Sequence, residues 1–191
     1  MFVQLIRPAI SLLAVMTLLL GMIYPFVITG VSTLAFPRQA AGSLIYQDGK
    51  LIGSTLIGQS FSDPKYFWGR PSATTPQPYN GLGSTASNLG PLNPALIDAV
   101  KANAKALHDA DPDNRRSIPV DLVMASASGL DPDVSLAALE YQAARVARAR
   151  HLELAQVEAL IKAHVLERLF GIIGERRINV LELNLALDRL Q

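Results

Sequence analysis

From Pro8 to Pro37 the chain carries no Asp, Glu, Lys, Arg or His. This run exceeds the ~20 apolar residues needed to span a hydrocarbon core. It predicts one transmembrane helix at residues 8–30, with a short N-terminal arm at 1–7 and a single soluble domain at 31–191. A cleaved secretory leader has an apolar region of only ~7 to 15 residues, so the longer run predicts a retained anchor. Pro25, with Tyr24 and Phe26, lies towards the distal end of the run, where a kink and interfacial aromatics are tolerated.

Beyond the anchor the apolar positions fall into shorter groups. "GSLIYQDGKLIGST" places two brief apolar runs around Asp48-Gly49, a dipeptide suited to a tight turn because both residues accept positive φ, and predicts a hairpin at 43–55. From Gln59 to Pro94 the chain shifts to Gly, Pro, Ser, Asn and Thr, with Phe61, Tyr66, Phe67, Trp68 and Tyr79 interspersed. Five aromatics argue against disorder, and long ordered loops are often functional, so this segment is expected to form a packed surface that contacts a partner.

Three helical segments follow. The first opens with Asn93 as cap and Pro94 at the first helical position. The second is expected to open in the same way at Asp131-Pro132, with Val134, Ala138, Tyr141, Ala144 and Val146 on its apolar side and Arg145 and Arg148 on a more polar one. The third covers Ala155 to Phe170 and stops at Gly171. In "INVLELNLALDRL" the leucines alternate as in a strand, whereas Asn179 followed by Glu182 resembles a capping box; the balance favours helix. The fold class is therefore α+β: one N-terminal transmembrane helix, then one soluble domain with a short hairpin and several helices.

Charge adds topology. Arg7 adjoins the predicted helix 8–30 on one side, whereas Arg38 and Lys50 lie farther from it on the other, which favours the N-terminus in the cytoplasm and the large domain outside. Setting Arg7 apart from the 17 basic residues leaves as many basic as acidic ones, 16 of each. A formally neutral domain lacks the basic surplus that nucleic-acid binding requires. The absence of cysteine fits an exported domain without disulfides.

The familiar catalytic patterns fail one by one. No lysine stands between Lys65 and Lys101 to complete a phosphate loop, and "GLGSTA" at 81–86 is a decayed dinucleotide pattern. "ASASG" at 125–129 lacks the first glycine of a nucleophile elbow around Ser126 or Ser128. His108, His151 and His164 occupy separate helical stretches and read as surface or half-buried residues. The string "HDADPDN" at 108–114 has Asn114 where a calcium loop needs Gly and Val120 where it needs Glu, and reads as a solvated linker. Neither a metal site nor a catalytic residue is assigned.

Eight ordered blocks carry a resemblance: "GSLI", "GSTLIGQSF", "YFWGRPSAT", "PYN", "SNLGPLNP", "PVDLVMASASGLDPDVS", "RVARAR" and "NVLELNLALD". Together, behind one anchor, they make the chain resemble, over nearly its whole length, the C subunit (KdpC) of the Kdp-type potassium-transporting P-type ATPase of bacteria.

The resemblance implies a non-catalytic accessory subunit of an ATP-driven potassium uptake complex in the bacterial inner membrane. Its implied partners are a channel-like potassium-binding subunit, a P-type ATP-hydrolysing subunit, a small stabilising subunit and the lipid bilayer. The chain has no Asp-Lys-Thr-Gly phosphorylation sequence. The family is also described as a catalytic chaperone that raises the ATP affinity of the hydrolysing subunit through a transient ternary complex, which implies no cofactor of its own and a nucleotide contact at Gln156. Here Gln156 is kept in "LELAQ", but Glu153 stands where the family pattern has serine. An outward domain also lies across the bilayer from cytoplasmic ATP, so the residues themselves read Gln156 as a polar helix position. Tyr66, Phe67, Trp68 and Arg70 are the expected partner contacts. An anchored exterior hydrolase using Ser126 or Ser128, and an independent nucleotide-binding module, stay open as alternatives.

Overall fold

A computed structural model describes residues 2–190, with two compact units, Met1–Ile52 and Gly53–Gln191. In the first, α1 (Phe2–Leu18) runs through a wide π-helical turn (Leu19–Ile23) into α2 (Tyr24–Ala35). The wide turn comes just before Pro25, whose ring would crowd the Gly21 carbonyl in a regular helix. The apolar stretch Gln4–Ala35 is 32 residues long, and the side chains of its most apolar window are not buried within the protein. At 1.5 Å per residue it reaches about 48 Å, more than a hydrocarbon core. A short helix, α3 (Pro37–Ala40), leads to β1 (Leu44–Gln47) and β2 (Lys50–Ser54), which form the expected hairpin. Asp48 and Gly49 both have positive φ, 52° and 74°, as the tight turn demands.

The second unit is built around α5 (Leu136–Arg150), which packs on α6 (Leu154–Ala163), while α6 in turn meets α7 (Val180–Asp188). Two three-residue strands, β3 (Asp133–Ser135) and β4 (Arg177–Asn179), pair antiparallel with Val134 opposite Ile178, both buried. Leu139, Val146, Val157, Ile161, Leu183 and Leu187 complete the centre of the core, joined by Phe67 from the irregular segment. α4 (Pro94–Ala110) begins as expected, with Asn93 Oδ1 accepting the Ala95 N–H at 2.9 Å. The C-terminal segment is helical, and Asn179 Oδ1 accepts the Glu182 N–H at 3.0 Å. The α+β class is as the sequence implies.

Four local readings change. Asp131-Pro132 does not start a helix. Asp131 Oδ1 instead accepts the Asp133 N–H in a turn, and Pro132 O accepts the Val180 N–H. α5 starts later, where Ser135 Oγ accepts the Ala138 N–H at 3.1 Å. The third helix ends at Ala163, not Phe170. Residues 166–177 double back as an irregular hairpin with bridges Leu166–Arg177 and Leu169–Ile173. Gly171 and Gly174, with φ of 77° and 85°, permit that reversal. Arg145 is buried, not on a polar face, and Asp111 is buried against Arg148, so 108–114 is more than a solvated linker.

Candidate functional site

The segment from Gln59 to Asn93 has no strand or helix, so its buried peptide groups need partners from elsewhere. α5 and α7 supply them. Asn184 Oδ1 accepts the Phe67 N–H at 2.9 Å and Asn184 Nδ2 donates to Phe67 O at 3.0 Å. Gln142 does the same for the next residue, accepting from Trp68 N at 2.9 Å and donating to Trp68 O at 3.1 Å. Two side-chain amides thus stand in for a neighbouring strand.

Two buried arginines hold the approach to that pair. Arg145 donates to Pro64 O and to Gln142 Oε1, and its guanidinium lies 4.6 Å from the Trp68 ring centroid. Burial pushes the Arg145 pKa down to about 10, which leaves it charged at neutral pH. Arg150 donates to Lys65 O at 2.7 Å and to Asp188 Oδ1 at 2.6 Å, and stacks over Tyr66 at 4.8 Å. Tyr66 closes the ring by donating to Asp188 Oδ2 at 3.2 Å.

Of the expected partner contacts, Phe67 has no exposed surface. In this conformation its ring belongs to the core. Tyr66, Trp68 and Arg70 are half-buried, and Arg70 pairs with Asp131 at 3.0 Å. Asn184 and Gln142, which hold this segment, were not among the residues named from the sequence, and Arg145 was placed on a polar helix side. The available clue was polar side chains interrupting otherwise apolar helical faces.

The small-residue stretch 125–129 secures the next part. Ser126 Oγ accepts the Gly129 N–H at 2.9 Å and Ser128 Oγ accepts the Leu130 N–H at 3.1 Å. Among the described residues neither hydroxyl is hydrogen-bonded to a histidine or a carboxylate, so the geometry is that of a turn. Ser72 Oγ donates to Gly129 O at 2.7 Å, and the Thr85 N–H donates to Ser128 O at 3.0 Å. Gly129 is required there: its φ is +67°, and a Cβ would stand 2.7 Å from Thr85 O. Tyr79 donates to Arg70 O at 2.5 Å, and burial pushes its pKa up to about 12.

What this segment displays outward is different. Leu82 is fully exposed and Leu92 is 91% exposed, each beside a glycine turn: Gly81-Leu82-Gly83 and Gly90-Pro91-Leu92. Asn80 shapes the first turn, accepting from Leu82 N through Oδ1 and from Gly83 N through its carbonyl. Two apolar prongs therefore project from a loop that is pinned at Ser84, whose Oγ donates to Ser128 O at 3.0 Å.

Gln156 sits in the first turn of α6. Its Oε1 accepts the Glu153 N–H at 3.1 Å, while the Glu153 side chain accepts the N–H of residue 156, forming a complete capping box. Glu153 is thus the helix cap. A cleft of about 510 Å³ lies between Arg70, Asp121, Asp131, Asp133 and Arg177. Its carboxylates are already engaged: Asp133 with Arg177 Nε at 2.7 Å, Asp131 with Arg70, and Asp121 with the Ser135 N–H. Among the described residues no His, Asp and Glu group as a metal ion requires.

One helix long and apolar enough to span a membrane, joined to a small α+β domain that holds an aromatic loop partly in its core, defines the architecture of the chain. The chain belongs to the KdpC family, described as K+-transporting ATPase, c chain, whose model matches residues 6–189. It is 59% identical over 184 residues to the potassium-transporting ATPase KdpC subunit of Dechloromonas aromatica (strain RCB), covering 96% of each chain. It is 61% identical over 183 residues to that of Variovorax paradoxus (strain S110), covering 96% of this chain and 95% of the relative. A third such subunit, from Polaromonas naphthalenivorans (strain CJ2), is 59% identical over 188 residues, covering 98% and 96%.

Proposed function

We propose that this chain is a non-catalytic subunit that assembles and stabilises a potassium-transporting ATPase complex from the outer side of the bacterial inner membrane. Its span lies in the bilayer beside partner helices, its N-terminus is cytoplasmic, and residues 31–191 face outward. The partners are a channel-like potassium-binding subunit, an ATP-hydrolysing subunit and a small stabilising subunit. The named relatives are all subunits of potassium-transporting ATPases. No Asp-Lys-Thr-Gly sequence is present to form an aspartyl phosphate.

The observation that carries this reading is the pair of exposed leucines, Leu82 and Leu92, on a loop pinned to the domain. A rigid loop that presents apolar side chains binds at lower conformational cost than a mobile one. Leu82 and Leu92 add to the contact expected of Tyr66, Trp68 and Arg70, from the glycine-rich turns that follow them.

Replacing both leucines with Asp tests this. Each buried leucine contributes about 1.5–3 kcal/mol, so the double variant should bind its complex at least about 100-fold more weakly and be lost on purification. Its thermal unfolding should match that of the unaltered chain, since both side chains lie outside the core. Full retention in the complex with normal potassium uptake rejects the assignment.

A further inference from the structure

The hairpin that replaces the expected end of the third helix exposes a second apolar surface. Leu166, Leu169, Phe170, Ile172 and Ile173 are all exposed, Phe170 at 84% and Ile172 at 79%, and no charged residue interrupts Leu169 to Gly174. The tip is ordered by its own hydrogen bonds. The Leu169 N–H donates to Ile173 O at 2.9 Å and the Ile173 N–H returns to Leu169 O at 3.0 Å. Within the turn, the Gly171 N–H reaches Arg168 O at 3.0 Å and the Ile172 N–H reaches Leu169 O at 3.2 Å.

The charged residues around this tip also pair among themselves. Arg168 bonds Glu175 at 2.7 Å, Arg176 bonds Glu167 at 2.8 Å, and Arg177 bonds Asp133 at 2.7 Å. The surface therefore presents an apolar tip, a backbone whose N–H groups at 169, 171, 172 and 173 are satisfied internally, and a collar of closed ion pairs.

We infer that this hairpin tip inserts shallowly into a lipid bilayer, at the boundary between headgroups and acyl chains. Three observations favour lipid over a protein surface as the occupant. Lipid offers no partner to a bare peptide group, so a segment that enters it gains by satisfying its own N–H groups, as those of Leu169, Gly171, Ile172 and Ile173 are here. A protein partner would normally be met with free polar groups at the rim, whereas here the collar charges are spent on one another. The same chain carries a 32-residue apolar stretch fit to span a membrane, which tethers the domain and raises the effective concentration of bilayer around it. Interfacial segments of this kind bury apolar side chains about 5–10 Å below the headgroup level.

The chain has no native cysteine, so a single reporter can be placed at the tip. The full-length variant Phe170→Cys, labelled with an environment-sensitive fluorophore, is incorporated into phosphatidylcholine–phosphatidylglycerol vesicles. The same label at Lys105→Cys, on the exposed side of α4, is the control. Emission at 170 should shift to the blue relative to detergent-free buffer, lose intensity when lipids carrying a nitroxide near the headgroup are included, and resist a water-soluble quencher; the control should show none of these. A water-exposed label at 170 overturns the inference. So does a label shielded from water but untouched by nitroxide lipids, which would identify a second copy of the chain as the occupant. The paired variant Ile172→Asp, with its folded state checked by thermal unfolding, should reduce nitroxide quenching at 170 several-fold; unchanged quenching also counts against it. None of these outcomes depends on the contact made by Leu82 and Leu92.

Discussion

Tyr79 couples the irregular segment to pH. Its hydroxyl donates to Arg70 O, and burial raises its pKa from 10.0 to about 12. The unfolded chain therefore gives up this proton first, so the contribution to stability is intact below pH 10 and is lost as pH rises from 10 towards 12. Tyr79→Phe should flatten that slope in an alkaline unfolding series followed by circular dichroism; an unchanged slope would assign it to other groups. Residues of this kind were only partly legible in the sequence. The aromatics of 61–79 announced order, but whether Phe67 faced inward or outward depended on Asn184, 117 positions away. Local composition does not encode that distance. The burial of Arg145 was hidden for the same reason, because its carbonyl acceptor lies at Pro64, 81 residues earlier.

Among the elements, those with strong local chemistry matched the sequence best. Asp48-Gly49 fixed the hairpin, and Asn93-Pro94 and Asn179-Glu182 fixed two helix starts. The misplaced boundaries lie where two local patterns compete. Asp131-Pro132 looks like a helix start, but pairing of β3 with β4 takes the next three residues, and Ser135 becomes the cap. Val165, Leu166, Leu169 and Phe170 continue a helical period, yet the two glycines with positive φ let the chain reverse. Gln156 shows how an element-level role can resemble a site-level one. Gln156→Ala should remove half of the capping box and cost about 0.5–1 kcal/mol in thermal unfolding, whereas Gln156→Glu should retain the box and most of the stability. A loss of ATP affinity in the complex that appears with Ala and disappears with Glu would trace to the helix start. A loss with both, at full stability, would instead favour a nucleotide contact.

At the scale of the whole molecule, the proposed outward orientation of the domain is open to a labelling test. Lys105 on α4 is exposed and lies outside the Leu82–Leu92 loop, which makes it a suitable labelling position. A Lys105→Cys chain in intact cells should react with a membrane-impermeant maleimide to the same extent before and after lysis. Reaction only after lysis would place the domain inside and bring it within reach of ATP.

The wide turn at Leu19–Ile23 has a consequence for what lies beside the anchor. One extra residue in a helical turn rotates everything beyond it by about 100° relative to a regular helix. A straight stripe of side chains cannot run the length of the span. The half up to Leu18 and the half from Tyr24 look in different directions, so a single straight helix could follow only one of them.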